Sequence, residues 1–278
     1  MVDQGMDDAF EQVRAEADPI RQAVEAGRLI NLYQQRGVEL ARLRKEAINR
    51  AAHEQGKNFS TIADEIGLTR GRIAQIRKAA PPSERAFFGT GPVTVAVPLR
   101  DMPGRPFPLV AAEDNESGET VSTYLQQLSF QVKRFQIPTN GAWTPDGDVV
   151  AICGPKSSPV TGVAIAGDPV LDFQPDEAGR WVISDRVNGQ TWRSPMDDDL
   201  SRHSDIAYVA RFRRERYSLL IIAGIHAIGS LGAVDYLVRE LPSLYREVGA
   251  SPFSMVIGSD YEGLSIRRSY IECQPRKH

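Results

Sequence analysis

The chain has 278 residues, enough for two domains at roughly 150 residues each. Its 41% apolar and 25% charged residues exclude a collagen-like or wholly disordered polymer, and no apolar run approaches the ~18 residues of a membrane-spanning helix. The net charge of −3 argues against a general nucleic-acid coat, and two cysteines, Cys153 and Cys273, are too few to staple such a chain or to hold structural zinc. Residues 1–8 are acidic and lack the apolar core of a secretory signal, so a reducing cytoplasm and no membrane are expected.

Charge is unevenly spread. Residues 1–33 hold seven acidic and three basic side chains, whereas residues 34–80 hold ten basic and five acidic ones. A basic island in an acidic chain is the footprint of a polyanion-binding surface or a solvated helical face. Residues 1–80 contain one proline, Pro19, and read as helical; Pro81-Pro82 closes that region. The expected organisation is a helical DNA-binding and dimerisation region over 1–80 and an α/β ligand-sensing domain over 91–278.

In chain order, Asp18-Pro19 starts a helix, with Asp as N-cap and Pro at the first helical position. It runs through Ala23, Leu29, Ile30 and Tyr33 to about Arg36, where Gly37 either interrupts it or is tolerated. A second stretch carries Val38, Leu40, Ala41, Leu43, Ala47, Ile48 and Ala51 at helical spacing and ends at Gly56-Lys57-Asn58. Together they hold more apolar residues than one small helical module covers, which points to a homodimer.

Residues 59–78 follow the pattern of two short helices around a tight turn. Ser60 is placed to cap the first helix, Ile62 and Ile66 face the core, and the small Ala63 allows close helix crossing. Gly67 supplies the left-handed turn, Leu68 packs beneath it, and Thr69 caps the second helix, whose Ile73 and Ile76 point inward. That leaves Arg70, Arg72, Gln75, Arg77 and Lys78 outward. Arginine reads guanine bidentately and glutamine reads adenine, so Arg70, Arg72 and Gln75 suit base contacts, and Arg77 and Lys78 suit phosphates. The segment resembles the helix-turn-helix of sigma-factor region 4 and related transcription regulators over about 20 residues. That resemblance implies binding to double-stranded DNA; the other sigma regions are absent.

From Gly89 onward the text changes to short β-branched runs broken by Gly and Pro. Strands are expected at 91–100, 109–112, 131–137, 148–153, 206–211 and 218–223, with a hairpin around Asn188-Gly189 joining 181–185 and 190–194. Helices are expected through Thr120, Tyr124 and Leu128, and from about Ser230 to Val248, with Pro242 breaking or restarting the latter. A closing hairpin joins 253–258 to 265–272. This is an α/β domain around a mostly parallel sheet with β-hairpin additions.

Two strand ends look like ligand loops, 154–161 after Cys153 and 224–232 after Ala223. In open α/β sheets ligands bind beyond the carboxyl ends of strands, and a helix N-terminus there favours an anion. Gly154, Lys156, Ser157, Ser158, Gly224, His226, Gly229 and Ser230 form the candidate ligand set, suited to a phosphate or ribose. Neither loop is a Walker or G-x-G-x-x-G motif. The two segments resemble paired motifs of a sensor-type domain found behind DNA-binding modules in actinobacterial regulators and, more loosely, Rossmann-like nucleotide-sensing domains. The resemblance implies a sensing role for the domain.

No catalytic residue, cofactor or metal ligand is assigned. His226 suits a phosphate contact, a general base or a partly buried structural role. Cys153 reads as a core residue, and Asp197-Asp198-Asp199 as a solvated loop. Asp101 and Asp205 either orient a sugar hydroxyl or cap a turn. The expected function is a DNA-binding transcription regulator with a small-molecule effector, acting as a homodimer. The rival is a nucleoside- or nucleotide-processing enzyme with a DNA-recruiting segment, and a third reading is an architectural protein with an empty α/β domain. A convergent acid/base pair would discriminate, and the sequence offers no obvious carboxylate partner for His226.

Overall fold

Asp18 does begin the long helix: its Oδ1 accepts the N–H groups of Ile20 at 2.8 Å and Arg21 at 3.4 Å, with Pro19 following. The structure, a computed structural model, describes residues 4–278, with side chains described from residue 8 on. Helix α1 (Gln4–Ala15) precedes α2 (Pro19–Glu54), which is one helix of 36 residues. Gly37 is therefore tolerated. Gly56, at φ +63°, then turns the chain out of α2.

The chain divides into two compact units. The first holds the chain as far as Ser83, with Thr90–Pro92 and Ser129–Gln131; the second holds Glu84–Gly89, Val93–Leu128 and Val132–His278. In the first, α3 (Phe59–Glu65) and α4 (Arg70–Ala79) close a small core with the carboxyl half of α2. Ile48, Ile62, Ala63 and Ile73 are buried there, flanked by Ala51, Ala52, Phe59, Leu68 and Ile76. Gly67 between the helices has φ +67°, a left-handed conformation that a β-carbon would strain. Two expectations are corrected. Asn58, not Ser60, caps α3, because its Oδ1 takes the N–H groups of Ser60 and Thr61 at 3.0 Å each. Ile66 ends α3 as its C-cap and is 46% exposed, because the turn carries it off the inner face.

The second unit is built on a seven-stranded mixed sheet. Strands β1 (Val93–Pro98), β2 (Val132–Ile137) and β3 (Asp148–Ile152) lie in the order β2-β1-β3, all parallel. β8 (Ser218–Gly224) joins β3 in parallel, and β7 (Ser204–Arg213), β9 (Phe253–Glu262) and β10 (Ser265–Lys277) continue antiparallel in the order β8-β7-β9-β10. Helices α5 (Ala112–Gln127) and α7 (Ala227–Val248) pack on the strands and on each other. A core on the sheet joins Val149, Ala151, Leu219, Ile221 and Ala223 to α6 (Pro159–Ala166) and to a small second sheet of β4 (Leu171–Pro175), β5 (Trp181–Asp185) and β6 (Thr191–Trp192). Alternation sends Val150, Ile152, Leu220 and Ile222 to the opposite face, and they too are buried. Burial on both faces is why β3 and β8 read as continuous apolar runs.

Some sequence expectations shift here. The expected strand at 109–112 reduces to one bridge, Arg100 to Leu109, because Ala112 already begins α5. The strand at 190–194 shortens to Thr191–Trp192, while α6 and β4 are additional elements. α7 starts at Ala227, three residues before Ser230, and continues through Pro242. Pro242 is exposed, on a side where water can replace the missing hydrogen bond.

Arg211 on β7 is 2% exposed and has no carboxylate partner in the bonds it makes. Its guanidinium donates to the carbonyls of Phe87 at 3.0 Å and Gly249 at 2.8 Å, and to that of Ser251. The rings of Phe87 and Phe253 lie 4.7 and 5.5 Å from it. Burial lowers its pKa to about 10, so it stays charged at neutral pH. It thus ties the start of the second unit and the turn after α7 to β7. Arg211→Ala leaves a cavity and unbonded carbonyls, and is expected to destabilise the chain by on the order of 3 kcal/mol in denaturant titrations. Arg211→Lys should recover only part of that loss, because an ammonium cannot reproduce the planar fork.

Candidate functional site

Because β3 and β8 are parallel neighbours, paired from Val149–Leu219 to Ile152–Ile222, their carboxyl ends open side by side. The loops that follow them border one cleft of about 270 Å³. Gly154, Lys156 and Ser157 enter it from the first loop; Gly224, His226 and Ser230 enter it from the second. Lys156 is exposed and forms no ion pair among the described residues. Ser230 is nearly buried, and its Oγ accepts the N–H of Gly224 at 2.8 Å, which closes the second loop on itself. A β-carbon at Gly224 would run into the His226 carbonyl, so the loop can turn this tightly only at glycine.

Two members of the expected set lie outside the cleft lining. Ser158 is fully buried; its Oγ accepts the indole N–H of Trp143 at 2.9 Å and its carbonyl accepts the Thr161 hydroxyl. Gly229 is buried against Asp205, where a β-carbon would stand 2.5 Å from Oδ2, so it serves close packing. The amino end of α7 is partly taken up by the protein itself. Asp205 Oδ2 accepts the N–H groups of His226 at 3.0 Å and Gly229 at 2.9 Å, so a protein carboxylate already takes two donors of that end. Of its two sequence readings, Asp205 takes the capping one.

The cleft also gathers residues from distant parts of the chain. Asp197, in the short 3₁₀ turn Pro195–Asp197, places Oδ1 2.7 Å from Nε2 of His226. Arg180 reaches in while loosely held by Asp176 at 3.5 Å and Asp198 at 3.4 Å. Phe173 and Trp181 form an edge-to-face wall with centroids 5.5 Å apart. Asp114 is 2% exposed at the cleft, with Arg100 Nη2 2.7 Å from its Oδ2. Burial raises the Asp114 pKa, and the Arg100 charge opposes the rise. Burial likewise pushes the Cys153 thiol up to about 12, with a weak contact to Thr161 opposing it, which makes Cys153 a poor nucleophile. The acidic run 197–199 was the one visible signal for Asp197; only its neighbours Asp198 and Asp199 behave as a solvated loop.

On the first unit, α4 exposes Arg70, Arg72, Gln75 and Lys78. Thr69 caps it, its Oγ1 accepting the Arg72 N–H at 3.2 Å, and Arg72 Nη1 donates to Gln75 Oε1 at 3.2 Å. Arg77 is exposed too, and its Nε donates to Asn49 at 2.9 Å while its guanidinium lies 4.1 Å from the Phe59 ring centroid. It joins α4 to α2 and α3.

Asp205 gives the site its own stability test. Asp205→Ala strands two amide donors and is expected to cost about 2–5 kcal/mol, whereas Asp205→Asn keeps a carbonyl acceptor and loses far less. Burial raises the Asp205 pKa above its ordinary value of 3.8. The folded state therefore holds this proton more tightly, and its contribution falls as pH rises from 3.8 through the raised value. Melting curves should lose that component in Asp205→Asn. No protein-family model and no curated protein matches the chain.

Proposed function

We propose that the protein is a DNA-binding transcription regulator whose second unit binds a small phosphate-bearing effector. The observation that carries the reading is the division of α3 and α4 into two faces. Ile62, Ala63 and Ile73 close a core with Ile48, while Arg70, Arg72, Gln75 and Lys78 stand in solvent beside a capped helix start. This is the arrangement a helix-turn-helix needs to place a helix in the major groove, with Arg70, Arg72 and Gln75 toward bases and Lys78 toward phosphate. Thr69 stands next to them, and its hydroxyl can still donate.

The cleft supports the effector half of the reading. Lys156 and Arg180 offer donors and positive charge, His226 stands beside them, and Trp181 with Phe173 offers an aromatic wall for a base. A regulator of this kind responds to its effector only if the ligand binds the DNA-competent and DNA-incompetent states unequally.

Retardation of genomic fragments by the full chain at low salt tests the DNA half. Arg72→Ala should weaken the preferred fragment by ~1–3 kcal/mol and relax sequence preference. Lys78→Ala should weaken all fragments alike and reduce the salt slope by about one. Failure to retard any fragment at low salt overturns the reading.

A homodimer belongs to the same proposal, because two half-sites supply the affinity that one such motif lacks. Ile20, Val24, Ile30 and Leu40 on α2 are 73%, 64%, 55% and 65% exposed, which is unusual for large apolar side chains along one helix. Sedimentation at micromolar concentration should show a dimer, and the double variant Ile30→Glu, Leu40→Glu a monomer. A wild-type monomer with tight DNA binding removes the dimer.

A further inference from the structure

We infer that the cleft is hydrolytic, cleaving a phosphoanhydride bond of a nucleoside polyphosphate with water, His226 acting as general base and Asp197 as its positioning residue. The inference rests on the reading of the cleft as a phosphate-ligand site and adds a reaction to it.

The first ground is the His226–Asp197 pair. Nε2 of His226 lies 2.7 Å from Asp197 Oδ1, with side-chain exposures of 40% and 21%. An imidazole that donates Nε2–H to a carboxylate keeps its lone pair on Nδ1, the form a general base requires, and the carboxylate steadies the imidazolium that forms. The ring is anchored through its backbone, because Asp205 holds the His226 N–H. Asp197 arrives from a turn 29 residues earlier in the chain. A residue needed only for solubility on that turn has no reason to meet a histidine at the mouth of a cleft.

The second ground is charge. Lys156 forms no ion pair among the described residues, and Arg180 is held only at 3.4–3.5 Å. Both are available to phosphate oxygens. Phosphoryl transfer asks the protein for little covalent chemistry and much positioning and charge neutralisation, which these residues supply.

The third ground selects the bond. The acids lining the cleft are poorly placed to protonate a leaving group, and the Lys156 and Arg180 cations serve the phosphate oxygens. Asp114 is tied to Arg100 at 2.7 Å, and the Cys153 thiol is 4% exposed and turned to Thr161. An alkoxide leaving group needs a proton; a phosphate leaving group departs as a stable anion without one. The step balances accordingly. The water oxygen attacks phosphorus, and one water proton passes to His226 Nδ1. The bridging P–O bond breaks, its electron pair stays on the departing phosphate oxygen, and the imidazolium then returns its proton to solvent. Nothing is oxidised or reduced.

The test uses the full chain with ATP, GTP and NAD⁺ in magnesium buffer, and AMP and inorganic phosphate as probes without an anhydride. Equilibrium dialysis reads binding and phosphorus NMR reads products. At least one anhydride is expected to bind and to be cleaved, with AMP and phosphate unchanged. His226→Asn should bind within a few-fold of the parent and turn over about 10²–10⁴ times more slowly. Asp197→Asn, on an exposed turn, should lower kcat while leaving KM within a few-fold of the parent, with Asp197→Glu restoring part of the kcat. A purely structural Asp197 would not split kcat from KM in this way. An anhydride that binds and is recovered intact, or turnover unchanged in His226→Asn, overturns the hydrolytic inference and leaves the effector reading standing. Binding of none of the five probes overturns both.

Discussion

The carboxylate of Asp205 determines the shape of the cleft. It is fully buried on β7, one strand from β8, and it takes two amide protons from the loop that leaves β8. Without it the chain after Gly224 would present unpaired N–H groups at the amino end of α7, and those groups would be the natural seat of an anionic ligand. With it, two of those donors are taken from inside the fold. The burial of this charge is itself unfavourable, as its raised pKa records, so the loop holds its geometry against the tendency of Asp205 to take up a proton. The same bonds fix the His226 backbone, while the Ser230 hydroxyl is held by the Gly224 N–H and the His226 ring meets Asp197.

The sheet supplies the second constraint. Loops that are 70 residues apart in the chain meet because β3 and β8 pair in parallel, which forces both carboxyl ends to one edge. Between those strands the chain makes α6, the small sheet and β7, and it returns carrying Trp181, Arg180 and Asp197 to the same edge. The cleft is therefore walled by the excursion that separates its two central strands.

These two constraints explain what was legible in the sequence. Features set by local chemistry were readable: the Asp18-Pro19 helix start, the left-handed Gly67, the apolar runs of β3 and β8, and the glycine loops after them. Features set by partners far away were not. Ser158 looked like a ligand donor, and only the position of Trp143 turns it into a buried acceptor. Asp197 looked solvated, and only the return of the 3₁₀ turn brings it to His226. Arg77 looked like an outward side chain only, and it is Asn49 and Phe59, 28 and 18 residues away, that also make it a tie between helices. Strand β4 is five residues ending in proline, too short for periodicity to speak.

The Asp205 carboxylate also decides how any anion would be held. A helix amino terminus offers fixed backbone donors whose strength does not depend on one side chain. With two donors of that end taken by Asp205, the attraction would fall mainly to Lys156, which is exposed, and Arg180, which is 41% exposed. Exposed cations are screened over a Debye length of ~8 Å at physiological salt, so the anion affinity of such a cleft is sensitive to ionic strength. Selectivity would then rest on the less screened part, the Phe173–Trp181 wall. On the proposed reading, a ligand carrying both a ring and a chain of phosphates would engage both parts at once, and neither a bare phosphate nor an uncharged ring would do so.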